Sequence, residues 1–197
     1  MMGDSTIGKR LSGGLITNYF CTSRCRHCLY NCSPNWEKAY IEPEIAEKCF
    51  IRVLELSCRS VHIGGGEPML RPEKLEKVLE AAIRVGMGID YVETNTIWFK
   101  DTESAVNILK RLMKSGLSTL LISISPFHNE FIPFSKVKGV IDAGRKVGIG
   151  LFPWVNDFYK DLSAFEPNIP HTFEEFSNKF GKDYLVNTLS RYWVHMG

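Results

Sequence analysis

Leu15-Ile16-Thr17-Asn18-Tyr19-Phe20 runs directly into Cys21-Thr22-Ser23-Arg24-Cys25-Arg26-His27-Cys28, so a short apolar strand empties into three cysteines spaced Cys-x3-Cys-x2-Cys. Three thiolates in so short a loop can hold three irons of a four-iron, four-sulfur (4Fe–4S) cluster and leave the fourth iron open, whereas electron-transfer clusters are usually closed by four. An open corner admits a substrate, as does the vacant position of a catalytic zinc. The spacing points to chemistry at iron rather than to a structural staple.

Other readings of the same cysteines stay open at this level. Cys21, Cys25, Cys28 and Cys32 fall at i, i+4, i+7 and i+11, the pattern of a buried helical stripe, although Ser, Arg, His and Asn surround most of them. A structural zinc site draws its ligands from two separated turns, which this loop does not offer. Cys25-x2-Cys28-x3-Cys32-Ser33-Pro34 approaches a ferredoxin pattern that Cys21 would complete. That alternative makes the chain a non-catalytic 4Fe–4S protein for electron transfer or partner binding.

Outward from this loop, strand and helix patterns alternate. Ile45, Ala46, Cys49, Phe50, Val53 and Leu54 recur at helical spacing over about 43–57, and Val61-His62-Ile63 is a short strand stopping at Gly64-Gly65-Gly66. A second helical stripe (Leu75, Val78, Leu79, Ala82, Ile83) opens at Pro72 and closes at Gly86, before a strand from Ile89 to Glu93. Asp101 is placed to cap a helix ending at Gly116, and Thr119 to Ser125 reads as a buried strand. A further helix runs to Gly148, a strand follows from Ile149 to Phe152, and Thr172-Phe173-Glu174-Glu175 is a capping box.

This alternation predicts an α/β fold with a parallel sheet. A closed eight-fold barrel takes ~250 residues, and the 197 here supply five β–α units, so a partial (β/α) TIM-like barrel is expected. Residues 1–14 read as an N-terminal segment and 15–197 as one domain. The aromatic tail Arg191-Tyr192-Trp193-Val194-His195-Met196-Gly197 carries no helix-terminus signal, and the natural chain is expected to continue beyond it.

Composition narrows the function classes. A formal net charge of +2 without a Lys/Arg block leaves no electrostatic footprint for nucleic acid. No apolar stretch approaches the ~18 residues of a membrane span, and residues 1–14 lack a signal-peptide core. A cytoplasmic location follows as the expectation, with the six cysteines kept reduced and available as ligands.

In α/β sheets ligands gather at the carboxyl ends of strands. The cysteines follow the first strand, Gly64-Gly65-Gly66-Glu67-Pro68 the second, Thr94-Asn95-Thr96 the third, and Ser123 and Ser125 end the fourth. With His27 just before Cys28 and Gly65-Gly66-Glu67-Pro68 at the next strand end, residues 15–155 resemble the radical S-adenosylmethionine (radical SAM) superfamily. The finer likeness is to members that modify peptides or cyclise molybdenum-cofactor precursors.

The resemblance implies that Cys21, Cys25 and Cys28 hold a 4Fe–4S cluster whose fourth iron is chelated by the amino and carboxylate groups of S-adenosylmethionine. One electron from the cluster then yields a 5′-deoxyadenosyl radical that abstracts hydrogen from a substrate, small molecule or peptide. A flavodoxin- or ferredoxin-type reductant is implied by the same analogy. Gly65 and Gly66 would approach the methionine moiety, with no Cβ to intervene. Glu67, held extended by Pro68, would face its ammonium group. His27 would lie beside the adenine, Ser123 and Ser125 near the ribose, and Asn95 toward the cofactor.

Taken alone, Ser123 and Ser125 also fit hydrogen-bonded core serines. The aromatics Trp98, Phe99, Phe127, Phe131, Phe134 and Trp154 fit either a substrate mouth or a barrel rim. Two departures stand out. Gly148-Ile149-Gly150-Leu151-Phe152-Pro153-Trp154 carries Pro153 and Trp154 where many relatives have an acidic residue, so that strand is expected to stop at Phe152. No cysteine follows Cys58, so this sequence holds none of the auxiliary-cluster ligands that many peptide-modifying relatives carry.

Overall fold

The computed structural model describes residues 12–153, 155–184 and 186–188. Five strands form one sheet in the order β1-β2-β3-β4-β5: β1 (Gly13–Ile16), β2 (Ser60–Gly64), β3 (Gly88–Thr94), β4 (Thr119–Ile122) and β5 (Gly150–Pro153). Every neighbouring pair is parallel. A strictly sequential order has no switch point, and right-handed crossovers then place every connecting helix on the same face. The sheet is therefore a sector of a (β/α) barrel.

Four helices cover that face: α1 (Pro43–Glu55), α2 (Pro72–Val85), α3 (Thr102–Lys114) and, after the short α4 (Pro126–Asn129), α5 (Phe134–Val147). They pack in sequence, α1 on α2, α2 on α3 and α3 on α5. Their apolar stripes bury Phe50, Leu79, Leu109 and Val140 against Val61, Ile63, Val92 and Leu120 of the strands. Asp101 caps α3 as its sequence implies, accepting from Ser104 N at 2.8 Å. Two further helices follow, α6 (Asp157–Leu162) and α7 (Phe173–Phe180), the second opened by a complete capping box between Thr172 and Glu175. No helix among the described residues is long and apolar enough to cross a membrane.

The strands differ from their sequence limits for reasons of pairing. The first begins at Gly13 and ends at Ile16, because β2 runs out at Gly64 and its last carbonyl accepts from Thr17 N at 3.0 Å. The fourth stops at Ile122, not Ser125: Ser123 N donates to Thr94 O at 2.9 Å, β3 then ends, and Ser125 with Pro126 opens α4. The fifth includes Pro153, one residue past the expected stop. Pro153 pairs with Ile122 at the terminus of an edge strand, where its missing N–H deprives no ladder partner. The short helices α4 and α6 carry too few turns to show a periodic stripe. Trp154 and the tail at 191–197 lie outside the described residues, as do residues 1–11.

Candidate cofactor and substrate cavity

Thr17 to Tyr40 form a long loop clamped over the carboxyl end of β2. Asn18 O accepts from Gly66 N at 2.7 Å, Cys21 N donates to Ser33 O at 3.2 Å, and Ile41 N donates to Thr17 O at 2.7 Å. The glycines after β2 permit this closure. A Cβ on Gly65 would stand 2.6 Å from Asn18 O, and one on Gly66 would overlap the Phe20 carbonyl. Gly65 also sits at φ +142°, which side-chain-bearing residues rarely adopt. The close approach at these positions is therefore between the cysteine loop and the end of β2.

Beneath the loop lies a cavity of about 420 Å³ at the carboxyl ends of the strands. Cys21, Cys25, His27, Cys28, Gly65, Gly66, Glu67, Asn95 and Ser123 all line it. Ser125 does not reach it. Its hydroxyl lies 2.7 Å from His128 Nδ1 and caps α4, beside a smaller neighbouring cavity. Of the loop aromatics, Phe127 and Phe134 are buried and Trp98 Nε1 donates to Thr94 Oγ1 at 2.9 Å, and none of the described ones lines the main cavity.

The three thiols are not equivalent. Cys28 is drawn down to about 6, chiefly because the Cys32 thiol donates to its sulfur, with backbone amides of Cys32, Tyr30 and Asn31 adding to that effect. Burial pushes Cys21 up to about 11 and raises Cys25 further. A metal held by all three thiols would be taken up with release of the protons of Cys21 and Cys25. Cys21 Sγ accepts from Ser23 N at 3.4 Å and from Asn95 Nδ2 at 3.3 Å. Asn95 Oδ1 accepts from Ile97 N at 3.0 Å, which fixes the amide so that its NH2 faces the sulfur. Asn95 lines the cavity, and its amide addresses a cysteine there.

Glu67 is fully enclosed and extended (φ −148°, ψ 100°), as the following Pro68 favours. Its carboxylate accepts from Met69 N at 3.0 Å, Thr94 Oγ1 at 2.9 Å and Asn95 N at 2.6 Å. Burial pushes this carboxyl up to about 7 while the three donors pull the other way. Glu67 ties the end of β2 to the end of β3 and, through Asn95, to Cys21. His27 packs on Phe127 with ring centroids 4.6 Å apart, and edge-on to His128 at 4.7 Å. Burial lowers it to about 4, which leaves a neutral ring against the cavity.

Among the described residues no three His, Cys, Asp or Glu side chains converge tightly enough for a single ion. Three thiols lining one cavity suit a polynuclear cluster, in which each thiolate holds its own iron. The donor set thus fits a 4Fe–4S group. His62, Tyr91 and Glu93 also line the cavity, and motif reading passed them over. The signal was available: polar side chains at alternate positions of apolar strands, Tyr91 and Glu93 on β3 beside His62 on β2.

A family model described as the radical SAM superfamily matches residues 15–150. Among characterised proteins the chain is similar to GTP 3′,8-cyclase of Aquifex aeolicus (strain VF5), 28% identical over 116 residues, which are 56% of this chain and 33% of that protein. Among solved structures it is similar to native anSMEcpe with bound AdoMet (TM-score 0.53, 20% identity), over 73% of this chain and 43% of that one. It is likewise similar to BtrN in complex with AdoMet and 2-DOIA (TM-score 0.52, 17% identity), over 75% of this chain and 58% of that one. At such identities the structures show a shared fold. The chain spans about a third of the curated relative and about half of the structures.

Proposed function

This chain belongs to the radical SAM superfamily, and on that premise we propose that it is an enzyme whose Cys21, Cys25 and Cys28 hold a 4Fe–4S cluster open at one iron. The cofactors are that cluster and S-adenosylmethionine. When bound, they supply a 5′-deoxyadenosyl radical that takes a hydrogen atom from the substrate.

The chain's own residues prepare that step. Cys28 presents a thiolate, and Asn95 with Ser23 N directs hydrogen-bond donors at Cys21, an arrangement that tunes a cluster's potential. Gly65 and Gly66 hold the cysteine loop against β2, and Glu67 locks Asn95 in place. His27 offers a neutral aromatic wall for adenine, and Ser123 a polar group at the end of β4. Substrates of this superfamily are small molecules or peptides, and a flavodoxin- or ferredoxin-type reductant is part of the proposal.

One observation carries this reading: groups from four successive strand ends meet in one cavity with three thiols on its wall. The closed four-thiolate alternative draws on Cys32, which also lines the cavity. Cys32 N donates to Cys28 Sγ at 3.4 Å and its thiol points to Tyr30 O at 3.9 Å, contacts that favour a supporting role for Cys32 beside Cys28 over that of a fourth ligand. The test is anaerobic reconstitution followed by dithionite and S-adenosylmethionine. Release of 5′-deoxyadenosine is expected; a reducible cluster that leaves S-adenosylmethionine intact would favour the electron-transfer reading.

A further inference from the structure

The floor of the cavity holds a group of side chains that the cofactor reading leaves unused. His62 and Tyr91 stack with centroids 5.3 Å apart and ring planes within 11°. Glu93 Oε1 lies 3.7 Å from His62 Nε2, beyond hydrogen-bond distance, and the carboxyl makes no hydrogen bond among the described residues. Leu121, the register partner of Glu93 on β4, completes the floor.

The sheet is shaped around this group. A Cβ on Gly14 would come within 2.6 Å of the His62 ring, and one on Gly64 within 2.8 Å of Glu93 Oε2. Side chains are therefore missing from β1 and β2 at the two places where these groups need room. The register adds to this. Val61 pairs with Ile89 but Ile63 with Val92, so β3 carries one extra residue between those pairs. Ile89 and Val92 both reach the apolar core through this bulge, while Tyr91 and Glu93 turn into the cavity.

The charge of the site is one-sided. Among the described residues lining the cavity none is Lys or Arg. Glu67 already accepts from three protein donors, whereas Glu93 accepts from none among the described residues and has its full acceptor capacity to offer. An approaching cation favours its ionised form.

Resting on the radical SAM reading above, we propose that Glu93, flanked by His62 and Tyr91, is a substrate subsite for a protonated amine. The ammonium pairs with Glu93, and the apolar part of the molecule lies along Tyr91 and Leu121. The amine of S-adenosylmethionine is a separate source of the same chemistry, and the experiment separates the two.

Benzylamine and benzyl alcohol serve as a charged and an uncharged probe, followed by ligand-observed NMR on cluster-loaded protein with S-adenosylmethionine, at pH ~8. Wild-type protein is expected to bind benzylammonium about tenfold more tightly than benzyl alcohol. Glu93→Gln is expected to erase that preference, and Glu93→Asp, which keeps the charge, to retain part of it. Equal binding of the two probes by wild type, or an undiminished preference in Glu93→Gln, would overturn the subsite. So would a roughly tenfold loss of S-adenosylmethionine affinity in Glu93→Gln, which would assign the carboxyl to the cofactor. Release of 5′-deoxyadenosine by wild type is measured on the same samples. Product without an amine preference overturns the subsite alone; an amine preference without product supports amine binding at Glu93 but overturns the enzymatic reading and with it the substrate role.

Discussion

Cys25→Ser protein is expected to emerge from anaerobic reconstitution with its iron and its visible chromophore lost, and to release no 5′-deoxyadenosine. Cys32→Ser is expected to keep both. The physical basis is the number of thiolates that reach iron. On the reading proposed above, Cys21, Cys25 and Cys28, which line one cavity, each hold one iron, and a cluster that loses one of its three protein ligands is not retained. Cys32 lines the same cavity and donates its amide to the Cys28 sulfur at 3.4 Å. Iron and sulfide analysis with the absorption spectrum checks both variants. A Cys32→Ser protein as empty as Cys25→Ser would mean that four thiolates close the cluster.

Glu67→Ala is expected to destabilise the fold by about 3–5 kcal/mol, since Met69 N, Asn95 N and the Thr94 hydroxyl are left in a buried pocket without an acceptor. Glu67→Gln separates packing from hydrogen bonding. Its carbonyl oxygen still serves Met69 and Thr94, but its NH2 meets the Asn95 N–H, donor against donor, at a cost of about 1–3 kcal/mol. Displacing Asn95 weakens its 3.3 Å contact to Cys21, so the cluster potential of Glu67→Gln is expected to fall along with the stability. Denaturant titration and a redox titration read the two effects separately. Wild-type behaviour on both counts would show that Glu67 is not the link between the strand ends.

Much of this architecture was legible because its signals are local. The apolar runs at Val61-His62-Ile63 and Thr119 onward, the Asp101 cap and the Thr172 capping box each depend on near neighbours in the chain. What escaped depends on partners distant in sequence. The fourth strand ends at Ile122 because β3 ends at Thr94, and β5 keeps Pro153 because it lies at an edge.

The site divides along the same line. A spacing such as Cys-x3-Cys-x2-Cys announces itself, whereas the rotation of Ser125 into the α4 cap is set by the turn at Pro126. Gly65 and Gly66 were legible as special, but the reason lies in the carbonyls of Asn18 and Phe20, 47 and 46 positions earlier. Glu93 looked like one carboxyl among many. Its place on the cavity floor follows from a bulge in β3 and a vacancy at Gly64 that only the assembled sheet reveals.

The proposed chemistry requires one iron left free by the protein for the amino acid end of S-adenosylmethionine. Electron–nuclear double resonance on the reduced cluster, with the methionine amino nitrogen isotopically labelled, addresses that iron directly. A hyperfine coupling from the label, present in wild type and in Cys32→Ser, is the expected result. A fully reduced cluster that shows no coupling to bound S-adenosylmethionine would contradict the account.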